Sequence, residues 1–257
     1  MANTAQTSQA DLKKSHQSPL LPVDNENSSL TKLIKAYLPK KEIEKVWEAY
    51  RYSEKSHRGQ KRQSGEDYIN HPVSVACIAA RFHLDSHSIQ AALLHDVVED
   101  TESTELEIEL KFGKQVSSLV VSLSKLEKVK FQDANEAQAE NFRKMLLAMT
   151  QDVRVILIKL ADRLHNMQTI QSLNKNKKTR IAQETVDIYA PIANRLGLNN
   201  LYQELEDLCF EVLHPVRYKT IQKAIKASRG NRKEVIEKIL KEISDKLHAV
   251  EIKAEIT

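Results

Sequence analysis

The chain has 257 residues, enough for one large domain or two small ones with a substantial hydrophobic core. It contains only 5 glycines and 6 prolines, and 5% of its residues are aromatic. So few turn-forming residues argue against a β-sandwich or barrel and favour helices. The formal net charge of +4 permits a polyanionic ligand but does not demand a nucleic acid. The sequence has neither a Walker loop nor a GxGxxG motif, so any phosphate chemistry must rely on metal and side chains.

The N-terminal residues 1–29 are interpreted as a disordered leader. They are rich in Ser, Thr, Asn and Gln, and they lack the apolar segment of a signal peptide. The two cysteines, Cys77 and Cys209, lie far apart and form no CxxC pair, which favours a reducing cytoplasm. No apolar run approaches the roughly 18 residues of a membrane span, so no membrane association is expected.

Apolar residues recur at helical spacing from Leu30 onwards. Thr104 and Glu107 have the spacing of a capping box, which predicts a short helix that ends at Gly113. We expect the other helices at approximately these positions: 70–82, 86–99, 114–126, 137–150, 152–172, 178–196, 199–212, and two that begin near Pro215 and near Asn231. The basic stretch from Asn174 to Arg180 is interpreted as a solvated loop, with a role in steering an anionic substrate as the alternative.

The last nine residues, Ala249 to Thr257, alternate between apolar and polar with the period of a β-strand. A single strand after so many helices has no partner, so we expect a second, sheet-containing domain to begin there, with a frayed tail as the alternative. The expected organisation is an all-α domain over residues 30–212. Residues 213–257 would form a helical linker and the first strand of the absent domain.

Residues 91–100 are apolar enough to be buried, yet they include His95, Asp96, Glu99 and Asp100. On one continuous helix these four side chains would form a single stripe. Three carboxylates and an imidazole on one face repel one another unless a cation or basic residues lie between them. A solvated helix end with one capped histidine is the alternative interpretation.

The most apolar predicted helix also ends in a polar cluster, in which Asp162 and Asn166 share a face and Lys159 lies one turn earlier. A carboxylate that follows an Ile-Leu-Ile run is expensive to bury unpaired. Pairing of Asp162 with Arg163 or Lys159 would satisfy it without any ligand. The other interpretation is that this second carboxylate-bearing helix shares a cation with the first.

A basic, glycine-containing loop over residues 57–66 leads into His71, at the start of a predicted helix. Alone, His71 would be interpreted as a surface or capping residue. With His95, Asp96 and Asp162 it completes a set of two histidines and two aspartates on three helices. Imidazole and carboxylate ligands suit a divalent transition metal, and the absence of cysteine favours Mn or Fe over structural Zn.

The order His, His-Asp, Asp on successive helices resembles the HD phosphohydrolase superfamily. The surrounding segments resemble the N-terminal hydrolase domain of the RelA/SpoT homologue family, a bacterial family of alarmone turnover in the stringent response. These segments are HRGQKRQSGEDYINHPVSVACI, AALLHDVVEDT, FGKQVSSLVVSLSKL, EAQAENFRKM, RVILIKLADRLHNM and IYAPIANRLGL. The resemblance covers about residues 30–257. It implies an HD-domain bundle of about ten helices, followed by a (p)ppGpp synthetase domain with a mixed sheet.

The resemblance also implies a cytoplasmic enzyme that removes the 3′-pyrophosphate of ppGpp or pppGpp, giving GDP or GTP and pyrophosphate, with Mn(II) as cofactor. The residues at the positions of the metal ligands are His71, His95, Asp96 and Asp162. Glu99 and Asp100 would position and deprotonate the attacking water. The residues implied to contact substrate are Lys61, Arg62 (on the guanine base), Ser64, Asn166 and Thr169.

Both the His-Asp and the Glu-Asp pair are intact, whereas family members with an inactive hydrolase domain have lost them. Two positions depart from the family pattern. Asp67 stands where a proline is usual, which implies a change in loop rigidity. Gln168 replaces a common arginine, which would weaken a phosphate contact and so lower substrate affinity rather than catalysis.

Two alternatives to this hydrolase remain: a different HD nucleotide phosphohydrolase, or a non-catalytic regulatory helical module. Larger family members contact acyl carrier protein or the ribosome, and the resemblance implies such partners for a full-length protein. Direct binding to nucleic acid is the least favoured function, because the positive charge is small and the aromatic residues are few.

Overall fold

The computed structural model describes residues 28–127 and 152–249. The predicted helix over 137–150 and residues 250–257 of the predicted strand lie outside these ranges. Within them the only β-pairing is an isolated antiparallel bridge between Lys61 and Asp67. The remainder of the ordered secondary structure is helical, which confirms the all-α prediction.

Eleven α-helices occur in the described ranges, and they are numbered here in chain order. They are α1 Ser29–Lys35, α2 Lys40–Ser56, α3 Asn70–Arg81, α4 Ser86–Leu94, α5 Val97–Asp100, α6 Glu105–Glu127, α7 Val153–Gln168, α8 Lys175–Glu184, α9 Ala190–Arg195, α10 Asn199–Leu213 and α11 Pro215–Ala249. A 3₁₀ turn, Ile170–Ser172, follows α7, and a π-helical turn, Thr185–Tyr189, joins α8 to α9. None of these helices is both long and apolar enough to cross a bilayer.

Helices α3, α4 and α7 form the centre of the fold. Helix α3 packs against both α4 and α7, and α4 also packs against α2. Leu93 and Leu94 of α4 and Ile156, Ile158 and Leu160 of α7 are all fully buried. Each such side chain contributes about 1.5–3 kcal/mol through its removal from water. This packing brings the polar C-terminal ends of α4 and α7 together beside the start of α3.

The predicted capping box at the start of α6 is confirmed. The Glu107 N–H donates to Thr104 Oγ1 at 3.3 Å, and the Thr104 N–H donates to Glu107 Oε2 at 3.0 Å. Gly113 interrupts α6 with a φ of 84° and a ψ of 166°, where the sequence predicts the end of a short helix. The two halves of α6 are therefore separate helical segments joined at a glycine.

The continuous helix predicted over 86–99 is wrong, because α4 ends at Leu94. The carbonyl of Ala92, which would accept the Asp96 backbone N–H in an unbroken helix, accepts instead from Nδ1 of His95 at 2.9 Å. A side chain that bonds to a backbone carbonyl in this way competes with the helical hydrogen bond. The Asp96 carbonyl then accepts two backbone N–H groups of α5, at 3.1 and 2.9 Å, so a new short helix starts. The predicted single stripe is thus divided between two helices.

Two further boundaries differ from the prediction. Asn174 Oδ1 accepts the Lys177 N–H at 2.9 Å and caps α8, so most of the predicted basic loop forms the first turns of a helix. The two helices predicted near the C-terminus are one, because α11 continues through Gly230 and Asn231. A glycine inside a helix costs only about 1 kcal/mol, too little to end one of this length. Ala249, the first residue of the predicted strand, is the last of α11.

We predict that Gly113→Ala lowers the free energy of unfolding by about 1–3 kcal/mol, because its backbone conformation is accessible to almost no other residue. An added Cβ would meet nothing within 4 Å, so the loss would report backbone strain rather than a clash. Urea unfolding followed by circular dichroism measures it. The exposed Gln115→Ala is the control, with an expected change below about 0.5 kcal/mol. Equal stability of the two variants would contradict this account.

Candidate metal centre

The structure brings together the four residues predicted to be metal ligands. His71 comes from the start of α3, His95 and Asp96 from the junction of α4 and α5, and Asp162 from the last turns of α7. His71 Nε2 lies 3.2 Å from Asp162 Oδ1 and 3.5 Å from Asp96 Oδ2. His95 Nε2 lies 3.0 Å from Asp96 Oδ1. A ligand atom from each of His71, His95 and Asp162 lies within 4.8 Å of the others, and all four residues are buried.

His95 presents a nitrogen that fits a cation. Because its Nδ1 donates to the Ala92 carbonyl, its Nε2 carries the lone pair when the ring is neutral. This Nε2 is buried and has no hydrogen-bond partner among the described residues. It faces a carboxylate oxygen of Asp96, and two lone pairs at this distance repel each other. A proton or a metal ion between them would remove the repulsion.

The charge of the cluster also favours a cation. Burial opposes ionisation of Asp162, but Lys159 and the two histidines outweigh it and hold its pKa well below the usual value. Burial likewise opposes ionisation of Asp96, and His95 and His71 outweigh it and lower its pKa. Lys159 Nζ lies 2.9 Å from Asp162 Oδ2, so the Asp162–Lys159 pairing that the sequence left open is present. One ammonium compensates only one of the two carboxylates.

The two histidines respond differently to this environment. Burial lowers the pKa of His71, which keeps that ring neutral. Burial also acts to lower the pKa of His95, but the charges of Asp96 and Asp162 outweigh it and raise the pKa. The cluster therefore attracts positive charge at His95 Nε2. Two imidazoles and two carboxylates are a donor set that fits a divalent transition metal.

Tyr68 is a member of the site that the sequence analysis missed. Its hydroxyl lies 2.9 Å from Asp96 Oδ2 and 2.6 Å from Asp100 Oδ2, so its one proton serves two carboxylates. Burial and the charges of these carboxylates raise the pKa of Tyr68, which keeps the phenol protonated. Its ring stacks on His57 at 4.5 Å between centroids. Its position three residues before His71 was the available signal.

Arg62 reaches the end of α7 rather than remaining in solvent. Its Nη2 donates to Asn166 Oδ1 at 2.8 Å, and Asn166 Nδ2 donates to Asp162 Oδ1 at 2.7 Å. Its Nη1 lies 3.2 Å from Nδ1 of His165, a second residue that the sequence analysis did not select. Both Arg62 and Asn166 are predicted to contact substrate. In the structure Asn166 binds the predicted ligand Asp162, and Arg62 binds Asn166.

The predicted water-activating pair lies on α5, beside the cluster. Glu99 is half-buried and Asp100 is exposed. The Asp100 carboxylate accepts from Tyr68, and its backbone carbonyl accepts from Gln60 Nε2 at 2.9 Å, which joins α5 to the basic loop. Asp100 therefore lies at the rim of the site, where a solvent-borne molecule can reach it.

Among the described residues, the other three residues predicted to contact substrate make no hydrogen bond to the four proposed metal ligands. Lys61 and Ser64 are exposed on the basic loop. Lys61 Nζ lies 3.5 Å from Oδ1 of Asp67, and Asp67 is the residue that stands where a proline is usual in the family. Thr169 Oγ1 donates to the His165 carbonyl at 3.0 Å, at the end of α7.

Gln168, the second departure from the family pattern, contacts a different part of the fold. Its Nε2 donates to Glu204 Oε1 on α10 at 2.7 Å. Asp162 and Gln168 lie on the same helix, but Gln168 is bound to a neighbouring helix rather than to the cluster.

Comparisons with known proteins identify the domain that contains this cluster. The family model described as "HD domain" matches residues 49–199, which is more than half of the chain and contains all four clustered residues. A solved structure of a metazoan orthologue of SpoT, described as hydrolysing ppGpp, is 29% identical with a TM-score of 0.52. The match covers 68% of this chain and 96% of that one.

Two bacterial relatives are more similar in sequence. The bifunctional (p)ppGpp synthase/hydrolase SpoT of Escherichia coli (strain K12) is 54% identical over 229 residues, 89% of this chain and 33% of that protein. A guanosine-3′,5′-bis(diphosphate) 3′-pyrophosphohydrolase of Vibrio cholerae is 52% identical over 228 residues, 89% of this chain and 32% of that protein. The chain thus spans about a third of the length of these relatives.

The region that the HD domain model matches contains the buried cluster of His71, His95 and Asp162. The chain therefore belongs to the HD domain family, and within it to the RelA/SpoT homologues, whose N-terminal hydrolase region it resembles over most of its length.

Proposed function

We propose that this chain hydrolyses the 3′-pyrophosphate of ppGpp or pppGpp and releases GDP or GTP and pyrophosphate. The observation that carries the proposal is the buried cluster of His71, His95, Asp96 and Asp162 beside an intact Glu99-Asp100 pair. It occurs in a chain that is 54% identical over 229 residues to proteins named 3′-pyrophosphohydrolase. In the reaction a water oxygen forms a bond to the phosphorus that is attached to the 3′-oxygen. The bond from this phosphorus to the 3′-oxygen breaks, pyrophosphate leaves, and the 3′-oxygen takes a proton.

The proposed cofactor is Mn(II), held by His71, His95, Asp96 and Asp162. When bound, a divalent ion would neutralise phosphate oxygens and lower the pKa of a water molecule. Hydrogen bonds orient two of the four proposed ligands. His95 donates from Nδ1 to the Ala92 carbonyl, which leaves Nε2 for the metal. The two oxygens of Asp162 accept from Lys159 and Asn166. Mn(II) is preferred over Zn because the donor set is rich in oxygen and lacks cysteine.

Glu99 and Asp100 would orient the attacking water and take its proton. Both lie on α5, whose N-cap is the proposed ligand Asp96, so they are held within one helical turn of the cluster. Tyr68 would set the position of Asp100, because its hydroxyl bridges Asp100 and Asp96. A carboxylate held in this way loses little freedom when it meets water, which favours proton transfer.

Lys61, Arg62 and Ser64 would meet the nucleotide from the basic loop, and Asn166 and Thr169 from the end of α7. A planar guanidinium suits a base or a phosphate, and Arg62 already lies beside the cluster. Positive charge near several phosphates stabilises the charge that moves to the 3′-oxygen as the bond breaks. In place of the family's arginine, Gln168 is held by Glu204, so the proposed substrate would lack that phosphate contact.

Other parts of the proposal extend beyond the site. The catalytic domain would comprise residues 30–212, with residues 213–257 leading to a synthetase domain. A cytoplasmic location is supported by two buried free cysteines, Cys77 and Cys209, which persist best in a reducing compartment. Contacts of a full-length protein with acyl carrier protein or the ribosome stay a prediction.

Incubating the chain with ppGpp and increasing Mn(II), and identifying the products, tests the proposed function. We expect GDP and pyrophosphate, and we expect Asp96→Ala to abolish their release while the helical circular dichroism signal persists. Nucleoside monophosphates and cyclic nucleotides in the same panel test for a different HD phosphohydrolase. Turnover of those compounds alone, or undiminished turnover of ppGpp by Asp96→Ala, would overturn the proposal.

Metal binding is tested by thermal unfolding with and without Mn(II). At about 100 times its Kd, Mn(II) should stabilise the chain by about 2.7 kcal/mol, which corresponds to a rise in Tm of about 5–10 °C. EDTA should reverse the rise. Asp162→Asn should lose most of it, because the amide removes an anionic ligand. The exposed Asp187→Asn is the control and should keep it. An equal rise in both variants would contradict the proposed ligands.

Tyr68→Phe tests the proposed bridge between Asp96 and Asp100. The ring can still stack on His57, but both short hydrogen bonds are lost, so kcat should fall about 10–100-fold with little change in KM. Tyr52→Phe is the matched control, since Tyr52 donates to Ser103 Oγ at 3.1 Å away from the cluster. Its kcat should remain within about 2-fold of the wild type. Equal kcat values for the two variants would exclude a role for the Tyr68 hydroxyl.

A further inference from the structure

We propose that His165 is a positioning residue that holds His71 in the tautomer with the proton on Nδ1, and that Arg62 enforces this choice. The inference rests on the proposed metal centre and adds a residue to it. It also gives Arg62, which the resemblance places on the guanine base, a second task directed at the metal ligands.

The chain of hydrogen bonds begins at Arg62, whose guanidinium has donors and no acceptor. Its Nη1 lies 3.2 Å from His165 Nδ1. A hydrogen bond at this position requires that His165 Nδ1 accept. His165 therefore has no proton on Nδ1, and in its neutral form the proton is on Nε2.

The next link joins the two histidines. His71 Nδ1 lies 2.7 Å from His165 Nδ1, so one of these two nitrogens must donate to the other. Since Arg62 already makes His165 Nδ1 an acceptor, the proton belongs to His71 Nδ1. His71 Nε2 then carries a lone pair, and it lies 3.2 Å from Asp162 and 3.5 Å from Asp96. The carboxylate oxygens repel this lone pair, as at His95 Nε2, and a cation bound between them would remove the repulsion.

The opposite arrangement conflicts with Arg62. A proton on His165 Nδ1 would face the Arg62 N–H, and two donors would then meet at 3.2 Å. His71 would also carry its proton on Nε2, where it would bond to Asp162 and block the ligand position. Arg62 makes a second contact with the same centre, because it holds Asn166, which donates to Asp162. Both routes run from the basic loop to a proposed ligand.

Hydrogen bonds of this kind fix the tautomer and orientation of ligating histidines, and their loss typically weakens metal affinity 10–100-fold. His165→Ala should therefore weaken Mn(II) binding by about 10–100-fold, measured by isothermal titration calorimetry on the full chain. His165→Asn places an amide oxygen where Nδ1 accepts and should restore the affinity to within about 5-fold. His214→Ala removes an exposed histidine outside the site and should change nothing.

Arg62→Ala provides an independent test on the loop side. If Arg62 served only the nucleotide, Mn(II) affinity without nucleotide would be unchanged, whereas we expect a fall of about 10-fold. Arg58→Ala, an exposed arginine of the same loop, is the matched control and should keep the wild-type affinity. Circular dichroism confirms that each variant is folded.

The tautomer itself is observable without any variant. Two-bond ¹H–¹⁵N spectra of the metal-free wild type with ¹⁵N-labelled histidine should show His71 with its proton on Nδ1 and an unprotonated Nε2. His71 with its proton on Nε2, or affinity in His165→Ala equal to that of the wild type, would overturn the inference. Failure of the wild type to bind Mn(II) would instead overturn the proposed metal centre, while the spectra would still report the tautomer.

Discussion

Two carboxylates, Asp96 and Asp162, lie side by side inside a helical core, and the surrounding structure is organised around their charge. Burying an ion costs several kcal/mol, and a second like charge beside the same imidazole adds to that cost. Lys159 offsets one charge, and the hydrogen bonds of Asn166 and Tyr68 satisfy oxygens that would otherwise be orphaned. The remaining charge makes a cation part of the proposed folded state, so metal binding and stability are coupled.

This constraint explains which part of the site could be predicted from the sequence. His95, Asp96 and Asp162 were conspicuous because each interrupts or ends an apolar run, where a charged group must have a purpose. His71 was recognisable only in combination with them. Tyr68 and His165 interrupt no apolar run, and a tyrosine in a loop or a histidine near a helix end is ordinary, so the spacing of Tyr68 before His71 was a weak signal. His165 meets His71 across 94 residues of sequence, a contact that only the packing of α7 against α3 creates.

The errors in the predicted helices have equally local causes. Period and composition correctly indicated an all-α fold, the capping box of α6 and its break at Gly113. They could not show that the His95 ring donates a hydrogen bond to the Ala92 carbonyl, because that bond depends on the rotamer of His95. The cap at Asn174 was readable in the sequence, but the run of lysines that follows it looked like a loop. Polar sequence does not distinguish an exposed helix from a solvated turn.

The break between α4 and α5 has a consequence for how such a site changes over time. His95 and Asp96 are neighbours at the junction directly after α4, so the end of that helix sets the direction of both side chains. One residue inserted or deleted within α4 would rotate its end by about 100° and carry both away from His71 and Asp162 together. A relative that kept only one of the pair would therefore have changed by substitution, not by a shift in helix register.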